Sequence, residues 1–223
     1  MTKNKIDARL EQCKVEGRKA LITFITAGDG GYDCTEKAVL EMAKNGADLI
    51  ELGVPFSDPI AEGPVIQCAS ERSLRNGTTL VGIFDLVRRL RKETDVPLLL
   101  MMYLNTIFCF GTDRFFALCE ECGIDGVIVP DIPFEEKDEI QGSADAHNVH
   151  NISLVTPASE DRIQMIASEA TGFLYCVSSN GVTGVRSQFQ TDFAPFFEKI
   201  HKYAKVPCAV GFGISGPEAA KEM

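Results

Sequence analysis

The sequence has no concentrated positive charge and no long apolar run. Its 223 residues carry a net charge of −10, and the densest basic cluster is Arg88, Arg89, Arg91 and Lys92. A nucleic-acid groove or an anionic membrane face needs positive charge gathered on one side, so we expect neither nucleic-acid nor membrane binding. No apolar stretch reaches the roughly 18 residues of a membrane helix, and the first ten residues lack the apolar core of a secretory signal. We therefore expect a cytoplasmic globular protein.

Motifs for metal and nucleotide binding are also missing. His147 and His150 flank a loop before the fifth predicted strand and His201 lies on a later predicted helix, an arrangement that does not suggest a metal site. Cys119 and Cys122 have no second Cys-x-x-Cys pair and share the apolar stripe of a predicted helix, which favours core packing over a zinc or redox site. No Gly-x-Gly-x-x-Gly follows the first predicted strand, which argues against a dinucleotide-binding sheet. These observations argue against a metal site and a dinucleotide cofactor, and we expect the eight cysteines to be reduced.

Short β-branched or aliphatic runs alternate with helical patterns along the whole chain. Seven runs are predicted to form strands: Leu21–Ala27, Ala47–Val54, Val96–Tyr103, Gly126–Asp131, Asn151–Pro157, Gly172–Ser178 and Val206–Gly213. Apolar spacing predicts helices over Thr79–Glu93 and Thr112–Cys122, and Pro64 and Pro217 fit first turns of helices. Strands that are apolar on both faces and alternate with helices indicate a parallel sheet covered by helices. The alternatives are a closed (β/α)₈ barrel and an open doubly wound sheet, and the short, evenly spaced units favour the barrel.

No linker or shift in composition divides the chain, so we predict one domain over residues 1–223. A closed barrel needs eight strands and usually about 250 residues. The seventh predicted strand ends at Gly213, and the start of a helix follows it. The predicted fold class is therefore an α/β protein with a (β/α)₈ TIM-type barrel that lacks the eighth strand-helix unit at its C-terminus.

The second predicted strand carries an acid on its inward face. The two-residue alternation of a strand places Leu49, Glu51 and Gly53 on the side that points into a barrel. A carboxylate there loses hydration, which raises its pKa toward the range useful for proton transfer. Glu62 lies in the following turn, where the two acids can reach one substrate from two sides. The spacing leaves two other interpretations open: a buried ion pair for Glu51 and a solvated turn acid for Glu62.

Glycine turns follow the sixth and seventh predicted strands, at Gly181–Gly184 and Gly211–Ser215. Backbone N–H groups in such turns attract phosphate without lysine, and barrel enzymes bind phosphate near their last strands. Together the two turns favour phosphate binding over ordinary glycine-rich loops. The polar segment Asn180–Gln190 fits either a closing lid or an ordinary loop.

Six motifs, in the correct order, resemble those of the tryptophan synthase α-subunit family. The most specific is the 51–67 segment, Glu-Leu-Gly-Val-Pro-Phe-Ser-Asp-Pro-Ile-Ala-Glu-Gly-Pro-Val-Ile-Gln. The other five are Thr23–Asp29, Met102–Asn105, Asp125–Pro133, Gly181–Gly184 and Gly211–Ser215. The resemblance covers the whole chain.

The resemblance implies a lyase of tryptophan biosynthesis that cleaves indole-3-glycerol phosphate to indole and glyceraldehyde 3-phosphate by a retro-aldol reaction without cofactor. As the carbon–carbon bond breaks, indole C3 gains a proton, the glycerol hydroxyl loses one, and positive charge on the indole nitrogen calls for a carboxylate. By analogy, Glu51 is the acid/base and Glu62 stabilises the charge at the indole nitrogen. The family carries Asp or Glu at the second position.

The resemblance also implies substrate-binding residues and a partner. Positions that match the family's indole pocket or phosphate site are Phe24, Ile66, Tyr103, Ile128, Tyr175, Thr183, Gly184, Phe212 and Gly213. The implied partner is a pyridoxal-phosphate-dependent tryptophan synthase β-subunit in an α₂β₂ heterotetramer, with Asp58, Asn105 and Asp131 as candidate docking positions. Two alternatives are another phosphate-binding barrel enzyme, against which the Glu51/Glu62 spacing and the lack of a strand-end lysine argue, and a catalytically impaired barrel that binds and activates a partner subunit.

Overall fold

The computed structural model describes residues 3–177, 193–211, 214 and 216–222, which contain eight strands and ten α-helices. The strands are β1 (Ile22–Thr26), β2 (Leu49–Gly53), β3 (Leu98–Met101), β4 (Gly126–Ile128), β5 (His150–Asn151), β6 (Leu154–Val155), β7 (Leu174–Val177) and β8 (Cys208–Gly211). The helices are α1 (Lys5–Val15), α2 (Tyr32–Lys44), α3 (Pro64–Arg75), α4 (Leu80–Leu90), α5 (Leu104–Phe110), α6 (Thr112–Cys122), α7 (Asp138–Ala146), α8 (Ile163–Glu169), α9 (Phe193–His201) and α10 (Pro217–Glu222). The predicted helices over Thr79–Glu93 and Thr112–Cys122 and the helix starts at Pro64 and Pro217 are confirmed.

The chain divides into two compact units. The first unit consists of Met1–Pro59 and Ile66–Asn151, and the second consists of Ile60–Val65 and Ile152–Met223. The first contains a five-stranded sheet in the order β1-β2-β3-β4-β5, and the second contains a three-stranded sheet in the order β6-β7-β8. All neighbouring strands are parallel. Sequential parallel strands joined by helices are the expected product of the alternating sequence pattern.

Alternate residues of β2 face opposite sides of the sheet. Ile50 and Leu52 of β2 lie in one apolar cluster with Phe84 of α4 and Phe115 of α6, and all four are fully buried or nearly so. Glu51 lies between the first two in sequence and therefore points to the other face of the sheet. The helices thus cover one face, and the opposite face carries the residues of the candidate site.

The amino end of β2 is held by a paired acid. The Asp48 side chain is only 1% exposed, and its two carboxylate oxygens accept hydrogen bonds from Nη1 and Nη2 of Arg18, both at 2.8 Å. The backbone N–H of Leu21 donates to the same carboxylate at 2.8 Å, and Arg9 Nε lies 3.0 Å from it. Burial by itself raises the pKa of Asp48, but the hydrogen bonds from Arg18 and Leu21 outweigh burial and bring the pKa to about 2.

The predicted strand over Asn151–Pro157 is observed as two short strands, β5 and β6. The first pairs with β4 and the second with β7, and the two intervening residues belong to neither. Pro157 does not extend the strand, because it begins a 3₁₀ helix (Pro157–Arg162) that the Thr156 side chain caps. The predicted extension of the strand to Pro157 was therefore wrong.

Cysteine placement and helix length bear on two further predictions. All eight cysteines are free thiols; Cys13, Cys119, Cys122 and Cys176 are buried, and Cys34, Cys68 and Cys109 are exposed. Packing as small hydrophobic residues is thus confirmed for half of them. Within the described ranges, no helix has both the length and the apolar character needed to cross a lipid bilayer.

Candidate active site

Glu51 occupies the middle of β2 and is the buried acid that the strand pattern predicts. Its side chain faces away from the helices, and the residue is 3% exposed. Burial raises the pKa of its carboxyl to about 8. None of the ion pairs found among residues 3–177 involves Glu51, so the alternative of a structural pair with a core Lys or Arg finds no support there. At neutral pH such a group is largely protonated and can donate a proton.

The Phe24 ring covers the strand position that follows Glu51 on the same face. Phe24 of β1 is the register partner of Glu51, and Leu99 of β3 is the partner on the other side. A Cβ atom added to Gly53 would lie 2.6 Å from Cζ of Phe24, so the ring tip reaches over Gly53. The ring therefore runs from the level of Glu51 toward the carboxyl end of β2. The structure thus brings Phe24 and Glu51 together, as the prediction of a common site requires.

Tyr103 and Ile128 lie at the carboxyl ends of β3 and β4. Ile128 is fully buried and pairs in register with Met101, which in turn pairs with Gly53. Tyr103 is 3% exposed, and its ring centroid lies 5.0 Å from that of Phe56. Active sites of barrels gather at this end of the strands, so these apolar groups are suited to a flat aromatic substrate.

Phe56 and Gly53 contact candidate site residues, Tyr103 and Phe24, but the sequence interpretation did not assign either of them. Phe56 is half-buried and packs on Tyr103 with a 30° angle between the rings. A signal for it was available, since Phe56 stands inside the most specific family motif. The inward position of Gly53, two residues after Glu51, can be predicted from the strand alternation. Its contact with Phe24 cannot, because that contact depends on which residue of β1 lies opposite.

Ile66 lies in the first turn of α3 and is half-buried. The same helix is tied to the turn after β1, because Arg72 donates to Asp29 from Nε at 2.8 Å and from Nη2 at 2.7 Å. Ser73 Oγ also donates to the backbone carbonyl of Ala27 at 2.6 Å. These bonds fix α3 relative to the carboxyl end of β1.

Two candidate site residues lie in the second unit. Glu62 is half-buried and lies two residues before α3 begins, and its approach to Glu51 stays a prediction. Tyr175 on β7 is 8% exposed, and a Cβ added to Gly211 of β8 would lie 2.2 Å from its hydroxyl oxygen. The Tyr175 ring therefore covers Gly211 just as the Phe24 ring covers Gly53.

Four predicted substrate-binding residues and the possible lid lie outside the described residues. These are Thr183, Gly184, Phe212, Gly213 and the segment Asn180–Gln190. In the part of the chain that the structure does describe, no three His, Cys, Asp or Glu side chains are grouped closely enough to bind a metal ion.

The sequence matches a known protein family and individual members of it. The family model described as tryptophan synthase alpha chain matches residues 10–223. The tryptophan synthase alpha chain of Caldanaerobacter subterraneus subsp. tengcongensis is 45% identical over 220 residues, which cover 99% of this chain and 84% of that one. The corresponding protein of Geobacter sp. strain M21 is 47% identical over 221 residues, with coverages of 99% and 83%.

Solved structures are also similar to this chain in fold. A structure from Aquifex aeolicus has a TM-score of 0.90 at 37% identity and covers 98% of this chain and 84% of that chain. A chain of the tryptophan synthase α₂β₂ complex from Pyrococcus furiosus has a TM-score of 0.83 at 33% identity, with coverages of 91% and 82%. The likeness confirms the predicted fold class, an α/β (β/α)₈ TIM-type barrel.

Proposed function

The chain belongs to the tryptophan synthase alpha chain family, and on that premise we propose that it cleaves indole-3-glycerol phosphate to indole and glyceraldehyde 3-phosphate by a retro-aldol reaction. The observation that carries the proposal is the Glu51 carboxyl, which is 3% exposed and has a pKa of about 8. A protonated acid in a dry site is what a poor carbanion leaving group such as indole requires.

Glu51 serves as both acid and base in this mechanism. Its carboxyl donates a proton to indole C3 as the bond between C3 and the glycerol chain weakens. The resulting carboxylate accepts the proton of the glycerol hydroxyl, which becomes the aldehyde oxygen. The two transfers balance, so the enzyme returns to its starting protonation state. A pKa near the operating pH suits a group that must both give and take a proton.

Glu62 is the second acid of the mechanism. Protonation at C3 places positive charge on the indole nitrogen, and a carboxylate beside the N–H stabilises that charge through a charge-assisted hydrogen bond. Glu62 precedes α3, which the Arg72–Asp29 ion pair ties to the turn after β1. That connection supports a defined position for the segment that carries Glu62.

The rest of the substrate needs an apolar slot and an anion site. The indole ring is assigned to an apolar set that comprises Phe24, Ile66, Tyr103, Ile128 and Tyr175. The phosphate is assigned to backbone N–H groups around Thr183, Gly184, Phe212 and Gly213. Because the protein is acidic overall, with a net charge of −10, neutral backbone N–H groups supply the local attraction for the phosphate.

The proposed setting is tryptophan biosynthesis in complex with a tryptophan synthase β-subunit, in an α₂β₂ assembly that consumes the indole. The candidate docking positions Asp58, Asn105 and Asp131 differ in their surroundings. Asn105 is exposed on α5, and Ser57 donates a short hydrogen bond to exposed Asp58. Asp131 accepts a hydrogen bond from Leu104 N at 2.9 Å and so caps the start of α5. Asn105 and Asp58 are therefore the better contact residues, and Asp131 supports the surface.

Indole release by the purified chain tests the proposal. Glu51→Gln keeps the size of the side chain but removes the proton-transfer group, and we expect a loss of about 10²–10⁴-fold in kcat. Glu71→Gln on α3 is the matched control, because Glu71 is 62% exposed and pairs only with the nearby Arg75 among the described residues. No indole from the unmodified chain, with stimulation of an added β-subunit, would instead support the catalytically impaired barrel. Unchanged activity in Glu51→Gln would remove Glu51 from the mechanism.

A further inference from the structure

Gly53 leaves a space on β2 that a residue of the neighbouring strand fills. A Cβ at this position would lie 2.6 Å from Cζ and 2.8 Å from Cε2 of Phe24, which is closer than carbon atoms approach in proteins. Phe24 starts from β1 at the level of Glu51. Its ring therefore occupies the place of a side chain at position 53, immediately beyond Glu51 toward the carboxyl end of the strand.

We infer that Gly53 is a positioning residue: its missing side chain admits the Phe24 ring over β2, and the ring keeps water away from Glu51 on the side from which substrate enters. As far as catalysis is concerned, the inference rests on the proposed function. The ring is rigid and is anchored on the neighbouring strand. A methyl group at position 53 would therefore have to swing the whole ring away, because no flexible chain end is there to bend.

The remaining neighbours of Glu51 on the three central strands are apolar. Phe24 and Leu99 flank it across β1 and β3, and Leu49 precedes it on the same face of β2. No titratable side chain of these three strands faces it. On the side of these three strands, displacement of the ring therefore opens the carboxyl to water, and hydration favours the ionised form.

The test compares Gly53→Ala, Phe24→Leu and the double variant with the unmodified chain. Gly142→Ala in α7 is the matched control, since a Cβ at position 142 meets nothing within 4 Å. Two readouts are needed: the pH profile of kcat/KM for indole release, and the change in unfolding free energy between pH 5 and pH 8. The second readout follows the ionisation of Glu51 without requiring any activity.

We expect Gly53→Ala to lose at least about tenfold in kcat/KM at neutral pH. Its pH profile should move toward lower pH by about one unit. Its unfolding free energy should also fall less steeply with pH than that of the unmodified chain. The double variant should come within about threefold of Phe24→Leu alone, because the collision no longer exists. Gly142→Ala should match the unmodified chain in both pH readouts.

Different results would overturn the inference about Gly53 and the proposed function. The inference is overturned if Gly53→Ala matches the unmodified chain in both readouts, or if the double variant loses the product of the two single losses. If the unmodified chain releases no indole, the proposed function fails, and the pH dependence of unfolding still decides the role of Gly53. If Gly53→Ala does not fold, Phe24→Leu alone must flatten that pH dependence for the inference to stand.

Discussion

Asp48 and Glu51 are two buried acids three positions apart, at the amino end and in the middle of β2, with opposite electrostatic settings. Asp48 is paired with Arg18 and has a pKa of about 2, whereas Glu51 has no ion-pair partner among the described residues and burial raises its pKa to about 8. A paired acid at the amino end of a barrel strand stabilises the fold. A buried acid without an ion pair among the described residues costs stability when it ionises, and such groups are candidates for catalysis. The contrast places a paired acid and the proposed catalytic acid within one strand segment.

Glu51 and Asp48 should change the unfolding free energy in opposite directions as the pH rises, and the change caused by Glu51 should be the larger one. Its folded-state pKa of about 8 lies above the ordinary value of 4.5, so the folded protein holds the proton more tightly than the unfolded chain. The stabilisation is complete below pH 4.5 and is lost as the pH rises through 8. Between pH 5 and pH 8 we expect a fall of about 3 kcal/mol in unfolding free energy, measured by urea titration. Glu51→Gln should abolish this fall; an equal fall in that variant would contradict the pKa assignment.

Asp48→Asn should lower the unfolding free energy at pH 7 by about 2 kcal/mol, because it removes the partner of Arg18. The folded-state pKa of about 2 lies below the ordinary 3.8, so this stabilisation is present above pH 3.8 and disappears as the pH falls through 2. Urea titrations at pH 7 and pH 3 measure both effects. Indole release per folded molecule should remain within about threefold of the unmodified chain. A hundredfold loss would show that the amino end of β2 also serves catalysis.

Gly211→Ala extends the comparison to the second unit, where Tyr175 and Gly211 repeat the packing of Phe24 and Gly53. The register partner of Tyr175 is Ala209 rather than an acid, and the added Cβ would lie 2.2 Å from the Tyr175 hydroxyl oxygen. We expect a loss of about 1–2 kcal/mol in stability from overpacking, with no change in the pH dependence that Glu51 causes. Thermal unfolding at two pH values measures both. A changed pH dependence would mean that Tyr175 also controls the ionisation of Glu51.

Asp29→Asn should have the smallest effect on stability, at most about 1 kcal/mol, because Arg72 is 55% exposed. If the ion pair positions α3 and thereby Glu62, kcat for indole release should fall several-fold while KM changes little. Arg75→Gln, which breaks an exposed pair within α3 itself, is the control. Equal kinetics in both variants would limit the Asp29–Arg72 pair to a structural role.

The sequence predicted local features better than cross-strand ones. The inward direction of Glu51 follows from the two-residue alternation of a strand, and Pro64 marks the start of α3 by its fixed backbone angle. The break between β5 and β6 was not predicted, because it depends on which strands pair and not on residue type. The contact between Gly53 and the Phe24 ring was not predicted either, because it depends on the register between β1 and β2. The single domain over residues 1–223 and the distance between Glu51 and Glu62 stay predictions.

The exposed thiols of Cys34, Cys68 and Cys109 are sites at which the first unit can be chemically labelled. They lie on α2, α3 and α5, the helices that follow β1, β2 and β3, whereas Cys13, Cys119, Cys122 and Cys176 are shielded. In the native protein a maleimide dye should therefore modify the thiols of these three helices faster than the four shielded ones, with the half-buried Cys208 of β8 between the two groups. The emission of the bound dye would report the binding of another subunit near these helices, and an alkylating agent left over from purification would block the labelling.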